Sequence, residues 1–348
     1  MEVAGRRLRG RFGVKIRVAG AEYEVRSYRE SDEPSVLELH NLVFGAASEA
    51  RLRQREWRFT NNPCGVQRTS VCSSENGKII CVYAGIPLRG QLLGDPVTFS
   101  LMADSMTHPG YRGAVLGRRG LFIRTALHWI DRNTGPEDLA FGFGNPQVRH
   151  ARLGKLLLGY ELWDDLGRYS RTLEDTLLKR IRRRIGDPRI AEVGEFGEEA
   201  DRLWSRVSGD YSAAVIRDRR YLSWRYRDGP QGDYIVLASR SSGGTWSGWV
   251  IFAVRGGVST VVDAIVPRNP AVADALLYRA IGYSLDRGAH SIEGWATAKS
   301  SLGRLYGRAG FARERQAGTR FACRLFAPMD KAAVRRGLYI QPGDTDDF

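Results

Sequence analysis

The sequence predicts an α/β protein of two modules in tandem, and three observations carry that prediction. The chain has 348 residues, a length that suits two domains. Runs with strand spacing alternate with runs at helix spacing along both halves. The second half also repeats the closing order of the first, with a change of pattern near residues 170–190. A hydrophobic fraction of 43% and a charged fraction of 26% exclude wholesale disorder.

The elements follow in order. Residues 1–20 are basic and Gly-rich, an arm or a short leading strand. Tyr23 to Tyr28 alternates as a strand does. Ser31-Asp32-Glu33-Pro34 opens a helix: Ser31 can cap it, the acids suit its positive end, and Pro34 is tolerated in the first turn. Val36, Leu39, Leu42 and Val43 then give that helix a buried stripe. Strand-like runs at residues 66–72, 78–86 and 96–106 are separated by Asn76-Gly77 and Leu93-Gly94-Asp95, and Asn-Gly between apolar runs signals a hairpin. A Gly- and Arg-rich loop leads into an apolar helix, Leu121 to Ile130. A strand (Leu139 to Phe143) and a helix ending at Leu158-Gly159-Tyr160 complete the half. In the second half, helices are expected near 198–207, 271–285 and 302–309. Strands are expected at 234–238, 249–254, 258–266 and 291–295. A basic helix, 173–185, joins the halves.

Composition narrows the function. There are 53 Lys+Arg against 39 Asp+Glu, a net charge of +14, which concentrates anionic partners such as CoA, acyl carrier protein or tRNA. The densest run is Lys179-Arg180-Ile181-Arg182-Arg183-Arg184, read as a solvated helix face or an anion contact. No charge-free apolar run reaches membrane-spanning length. The N-terminus lacks the apolar stretch of a secretory signal. Cys64, Cys72, Cys81 and Cys323 form neither a CxxC pair nor a disulfide framework. A soluble, reduced, cytoplasmic protein without a metal is expected.

A strand that stops at a glycine loop and restarts as an apolar helix is a phosphate-binding arrangement. Bare backbone approaches the phosphate, and the helix start offers free N–H groups and the favourable end of its dipole. Gly113, Gly117 and Gly120 supply the backbone; Arg112, Arg118 and Arg119 supply charge; Met106 and Thr107 lead in. The stretch Asp104-Ser-Met-Thr-His-Pro-Gly-Tyr-Arg-Gly, with Arg119-Gly-Leu-Phe, resembles the acetyl-CoA motif of the GCN5-related N-acetyltransferase (GNAT) superfamily. Lys155-Leu-Leu-Leu-Gly-Tyr resembles its last helix, and Tyr23-Glu-Val-Arg-Ser-Tyr-Arg-Glu-Ser-Asp its opening. The resemblance covers residues 22–165 and implies tandem modules, each a mixed, mostly antiparallel sheet flanked by helices. It divides the chain into an arm (1–20), a cofactor-bearing module (21–170), a linker helix (171–190), a degenerate module (191–328) and a tail (329–348).

No window of the loop between Asp104 and Leu121 fits the family's pattern, Arg/Gln-x-x-Gly-x-Gly/Ala, because Ala114 to Arg118 stands as an insertion. After Asp263, the corresponding stretch Arg268-Asn-Pro-Ala-Val has no glycine, so one acyl-CoA site per chain is expected, with acetyl-CoA as the implied donor. Acyl transfer to an amine needs a neutral amine, a polarised carbonyl and a proton for the thiolate. The family's usual acid position falls on Lys155 here and on Tyr306 in the second half. Candidate catalytic residues are Asp104, a charge interrupting an apolar strand, His108, Asn145 and Tyr306; Asn145 is also a candidate for holding the pantetheine arm. The resemblance implies an N-acyltransferase whose amine enters between the modules. An aminoacyl-tRNA-dependent transferase and a non-catalytic CoA-binding protein stand as alternatives.

Overall fold

A computed structural model of the chain describes residues 13–45, 49–65, 67–112, 117–163, 165–174, 187–314 and 321–345. Strands β1 (Val14–Val18) and β2 (Ala21–Ser27) open it, followed by helices α1 (Glu33–Phe44) and α2 (Glu49–Phe59). Strands β3 (Arg68–Ser74), β4 (Ile79–Leu92) and β5 (Asp95–Thr107) lead to α3 (Leu121–Asn133), β6 (Leu139–Gly144), α4 (Val148–Leu157), β7 (Glu161–Leu162) and β8 (Leu166–Thr172). The chain continues through β9 (Ile190–Glu192), α5 (Glu198–Val207), β10 (Ala213–Val215), α6 (Arg219–Tyr226), β11 (Ile235–Arg240), β12 (Trp246–Arg255) and β13 (Val258–Ile265). It closes with α7 (Pro270–Asp286), β14 (Ser291–Thr297), α8 (Ser301–Arg308), β15 (Ala312–Glu314), β16 (Ala322–Leu325), α9 (Lys331–Arg336) and β17 (Leu338–Tyr339).

Local chemistry sets the turns. Leu93 and Gly94 both take positive φ (53° and 94°), which closes the β4–β5 hairpin with the twist that adjacent strands need. Asn76-Gly77 closes β3 onto β4, with Gly77 at φ 80°. At the start of α1, Asp32 rather than Ser31 stands at the N-cap. Asp32 accepts two bonds from Arg26, at 2.7 and 2.8 Å, and one from the Arg29 N–H. Burial pushes its carboxyl up, but these donors outweigh burial and leave it below the usual range. The buried stripe of α1 is Val36 and Leu39; Leu42 is exposed.

The described strands form two sheets. One runs β1-β2-β3-β4-β5-β6-β16-β7, with β10 and β17 added beside the far end of β4; the other runs β15-β8-β14-β13-β12-β11-β9. The sheets do not divide at residues 171–190 as the sequence suggests. β8 leaves the first half and lies between β14 and β15, while β16 returns from the second half to lie between β6 and β7. Each sheet therefore needs a strand from the other half of the chain. Residues 1–12 and 175–186, including most of the expected linker helix, lie outside the described residues.

The cores merge accordingly. Val36 and Trp57 share one apolar cluster with Trp204, Tyr226, Trp249 and Val262. Trp57 stacks on Trp224 at 4.6 Å and donates its indole N–H to the Trp224 carbonyl at 3.0 Å, docking α2 on α6. Within the expected tail at 329–348, Val334 and residues 338–345 are interior instead: Tyr339, Ile340, Gln341 and Asp344 are buried, and β17 pairs with β10. Arg217, wholly buried, ties it down by ion pairs to Asp263 at 2.8 Å and Asp344 at 2.6 Å. A buried guanidinium needs such partners, which is why the segment packs inside.

Candidate active site

Two features of the first sheet build the site. β5 and β6 pair in parallel only from Thr98↔Leu139 to Leu101↔Phe143, although β5 continues to Thr107. Beyond Leu101 the strands part, and the β6-facing edge of Met102–Thr107 has no strand partner among the described residues. Gly144 keeps the wall close, since a Cβ there would meet the Met102 carbonyl at 3.2 Å. Asn145 follows directly on the other side of this slot, and the slot leads to the start of α3. Gly120 occupies the N-cap of that helix, and no side chain caps it. The first helical bond is Arg124 N–H to the Gly120 carbonyl. The N–H groups of Leu121, Phe122 and Ile123 precede it and have no acceptor within the helix, as at any helix start.

The predicted loop residues divide. Gly117 has φ 74°, a conformation that favours glycine, and Arg118 and Arg119 are exposed beside it. Arg112 bonds the Thr107 carbonyl through Nε at 2.9 Å. Met106 points into the first core, and Thr107 Oγ1 meets Cys81 Sγ, so these two offer a ligand only backbone. Gly113 lies outside the described residues. His108 accepts the Gly110 N–H at 3.1 Å and lies edge-on to Tyr111, which makes it a cap of the loop's first turn.

The second module has the same parting of strands but a closed helix start. β13 and β14 pair only as far as Val261↔Gly294. At the head of α7 the Asn269 side chain accepts from Ala271 and Val272 N–H, and Pro270 has no N–H to give. Tyr306 belongs to this module's core, stacked on Phe311 at 4.6 Å, with its hydroxyl buried near Gly294. That is a packing position, remote in the fold from the β5–β6 slot.

Asp104 stands at a bulge. Val82 pairs with Met106 and Ala84 with Ala103, so Asp104 and Ser105 together oppose Tyr83. Asp104 has φ 48°, a strained value that Asp tolerates better than most residues. Its carboxylate is ion-paired to Arg55 of α2 at 3.1 Å, and Arg55 also grips Glu33 at 2.8 Å. Tyr28 donates to Glu33 at 2.7 Å. Burial pushes Glu33 up, but Arg55 and Tyr28 outweigh it and hold it ionised below its usual range.

His40 is the residue that sequence reading missed. It lies seven positions after Glu33, two turns along the same face of α1. Its Nδ1 is buried with no hydrogen-bond partner among the described residues, and its ring rests on Phe44 at 4.9 Å. Burial lowers its pKa most; Arg55, Arg51 and Arg58 lower it further, and only the Asp104 carboxylate opposes them. A neutral imidazole therefore stands within the field of an ion-paired carboxylate. On the opposite side of the bulge the hydroxyls of Tyr83 and Tyr160 pair, and burial drives Tyr160 up to about 12. Lys155, at the family's usual acid position, is exposed. Among the described residues no His, Cys, Asp and Glu converge as a metal site.

Residues 24–127 match the family model of the acetyltransferase (GNAT) domain. Over that stretch the first module is similar to a GNAT domain. The tandem GNAT fold extends over most of the chain. A probable N-acyltransferase from Enterococcus faecalis is similar over 88% of this chain and 72% of its own, with TM-score 0.62 and 14% identity. A GNAT protein from Kribbella flavida is similar over 88% and 71%, with TM-score 0.61 and 14% identity. A tandem GNAT protein from the clavulanic acid biosynthesis pathway is covered completely by 88% of this chain, with TM-score 0.51 and 13% identity. At these identities the likeness is one of fold. No curated protein matches the sequence.

Proposed function

We propose that the protein is an acyl-CoA-dependent N-acyltransferase with one donor site per chain, in the first module, and that acetyl-CoA is the donor. One observation carries this reading: the two modules share the parted strands, but of the two helices that follow those strands, α3 starts with an uncapped, glycine-headed turn and α7 does not. Anions bind where helix N–H groups are free and the dipole is positive. At α7 the Asn269 side chain already fills that place. The loop arginines and the N–H groups of α3 would hold the pyrophosphate, and the slot edge at Met102–Thr107 would take the pantetheine arm.

When bound, the acyl thioester supplies an electrophilic carbonyl. The chain's own groups then handle the amine. His40 is neutral and takes the ammonium proton; Asp104 stabilises the imidazolium that forms; Arg55 and Glu33 fix Asp104 in place. The free amine forms the new C–N bond, the C–S bond breaks, and the thiolate leaves with the second amine proton. We place the amine on the α1–α2 side of the bulge, beside the contact of α2 with the second module. Cytoplasmic location is part of this reading; no described helix is long and apolar enough to cross a membrane. The aminoacyl-tRNA alternative rested on Lys179 to Arg184, which lies outside the described residues.

Gly120→Val tests the cradle. Gly120 has φ −64°, so valine brings no backbone strain. It acts by placing a branched side chain over the free N–H groups, where N-cap side chains sit. Acetyl-CoA affinity is expected to fall at least about 30-fold, roughly 2 kcal/mol. Arg119→Ala, which removes one charge-assisted contact, is expected to cost about 1.5 kcal/mol. Unchanged affinity in both folded variants refutes the cradle.

A further inference from the structure

Around the slot the sequence becomes single-signed. Residues 105–130 and 139–160 contain no Asp or Glu, where the chain's overall frequency would place about five. The cations there are exposed: Arg118 and Arg119 before α3, Arg124 on it, and Arg149, Arg152 and Lys155 on α4. Phe122 meets His150 edge-on at 5.0 Å, so the starts of α3 and α4 adjoin and these charges share one surface. α4 adds a second feature. Its inner side, Ala151 and Gly154, is buried, whereas Val148 is 52% and Leu156 69% exposed. Positions 148, 149, 152, 155 and 156 recur at helical spacing, so the two aliphatics and three cations form one outward stripe.

We propose that this stripe docks an acidic carrier protein that presents the acyl group on a phosphopantetheine arm. The inference rests on the acyl-donor reading of the first module and extends it to the physical form of the donor. Charge complementarity is its first support: a surface without a carboxylate in either segment attracts and orients an acidic helix. The aliphatics decide the class of partner. Nucleic-acid backbones are gripped through charge and leave an exposed leucine uncovered, whereas an amphipathic helix of a protein covers leucine and arginine together. The site beside the stripe supplies the third support. A phosphopantetheine arm needs one phosphate cradle and one narrow slot, which the start of α3 and the β5–β6 parting provide. In the transfer the amine forms a C–N bond with the acyl carbon, the thioester C–S bond breaks, and the carrier's thiol leaves with a proton from the amine.

The test compares the full chain with the triple variant R149E/R152E/L156S, whose changes lie on exposed positions. The probes are an acidic fatty-acid acyl carrier protein, in apo and holo forms, and acetyl-CoA, each followed by calorimetry; a bulk tRNA is the competitor. The expected result is that wild type binds the holo form more tightly than the apo form. The triple variant should lose at least tenfold toward both while holding acetyl-CoA within twofold. Equal carrier affinity in the two proteins, or a parallel loss of acetyl-CoA, overturns the docking surface and leaves the donor site standing. Displacement of the carrier by tRNA at equimolar concentration also overturns it. Failure of wild type to bind either acetyl-CoA or the holo carrier overturns the donor reading itself.

Discussion

Arg217→Met is expected to cost about 3–5 kcal/mol of stability, the usual loss when one member of a buried ionic cluster is removed. Arg217 is wholly buried between Asp263 and Asp344 and also donates to the Val215 carbonyl at 2.7 Å. Asp263 keeps the Trp249 indole N–H at 2.9 Å, and Asp344 keeps the Tyr221 hydroxyl at 2.7 Å. Neither bond neutralises a carboxylate. Burial raises the Asp263 pKa, Arg217 opposes it, and Asp344 raises it again. A raised carboxyl pKa means that the folded state binds the proton more tightly than the unfolded chain. Its contribution is therefore full below the unfolded value and is lost as pH rises through the folded one. Without Arg217 that dependence should steepen. Urea unfolding at two pH values checks it, and Asp263→Asn in the variant background should recover part of the loss. A change under about 1 kcal/mol would mean that the cluster does not hold the C-terminal segment.

His40→Gln is expected to lower kcat/KM about 100-fold, or roughly 2.7 kcal/mol, the lower end of what a positioned base contributes. The pH profile separates this from a packing defect. His40 is held below the usual histidine value chiefly by burial, so the active neutral form persists above it. Activity of wild type should fall as pH drops through that lowered value. His40→Gln should lose this acidic limb, since glutamine does not titrate. Asp104→Asn tolerates the positive φ and should move the limb to still lower pH by removing the charge that favours the imidazolium. A His40→Gln enzyme with the wild-type limb would assign the base elsewhere.

The contrast between these two sites shows what a sequence displays. The β3–β4 hairpin, α5 and α7 were legible because Asn-Gly turns and helical spacing are local signals. α2 was not: in EARLRQREWRF, among the described side chains, only the aromatics Trp57 and Phe59 reach the core, and a strand-free polar run resembles a loop. The exchange of β8 and β16 depends on pairings across the whole chain, which no local pattern encodes. Asp104 was visible as a charge in an apolar strand, but its partner Arg55 stands 49 positions earlier. His40 had one available signal, its place seven residues after Glu33 on one helix face. The C-terminal segment reads as a tail in the sequence because its buried partner, Arg217, lies far back in the chain.

Calorimetric titration of the full chain with acetyl-CoA tests the central asymmetry most directly. The uncapped start of α3 against the Asn269-capped start of α7 predicts one site per chain. That site should weaken at least about 30-fold in Gly120→Val and persist unchanged in Asn269→Ala. Two sites per chain, no binding, or a single site lost only when residues at the head of α7 are changed would contradict it.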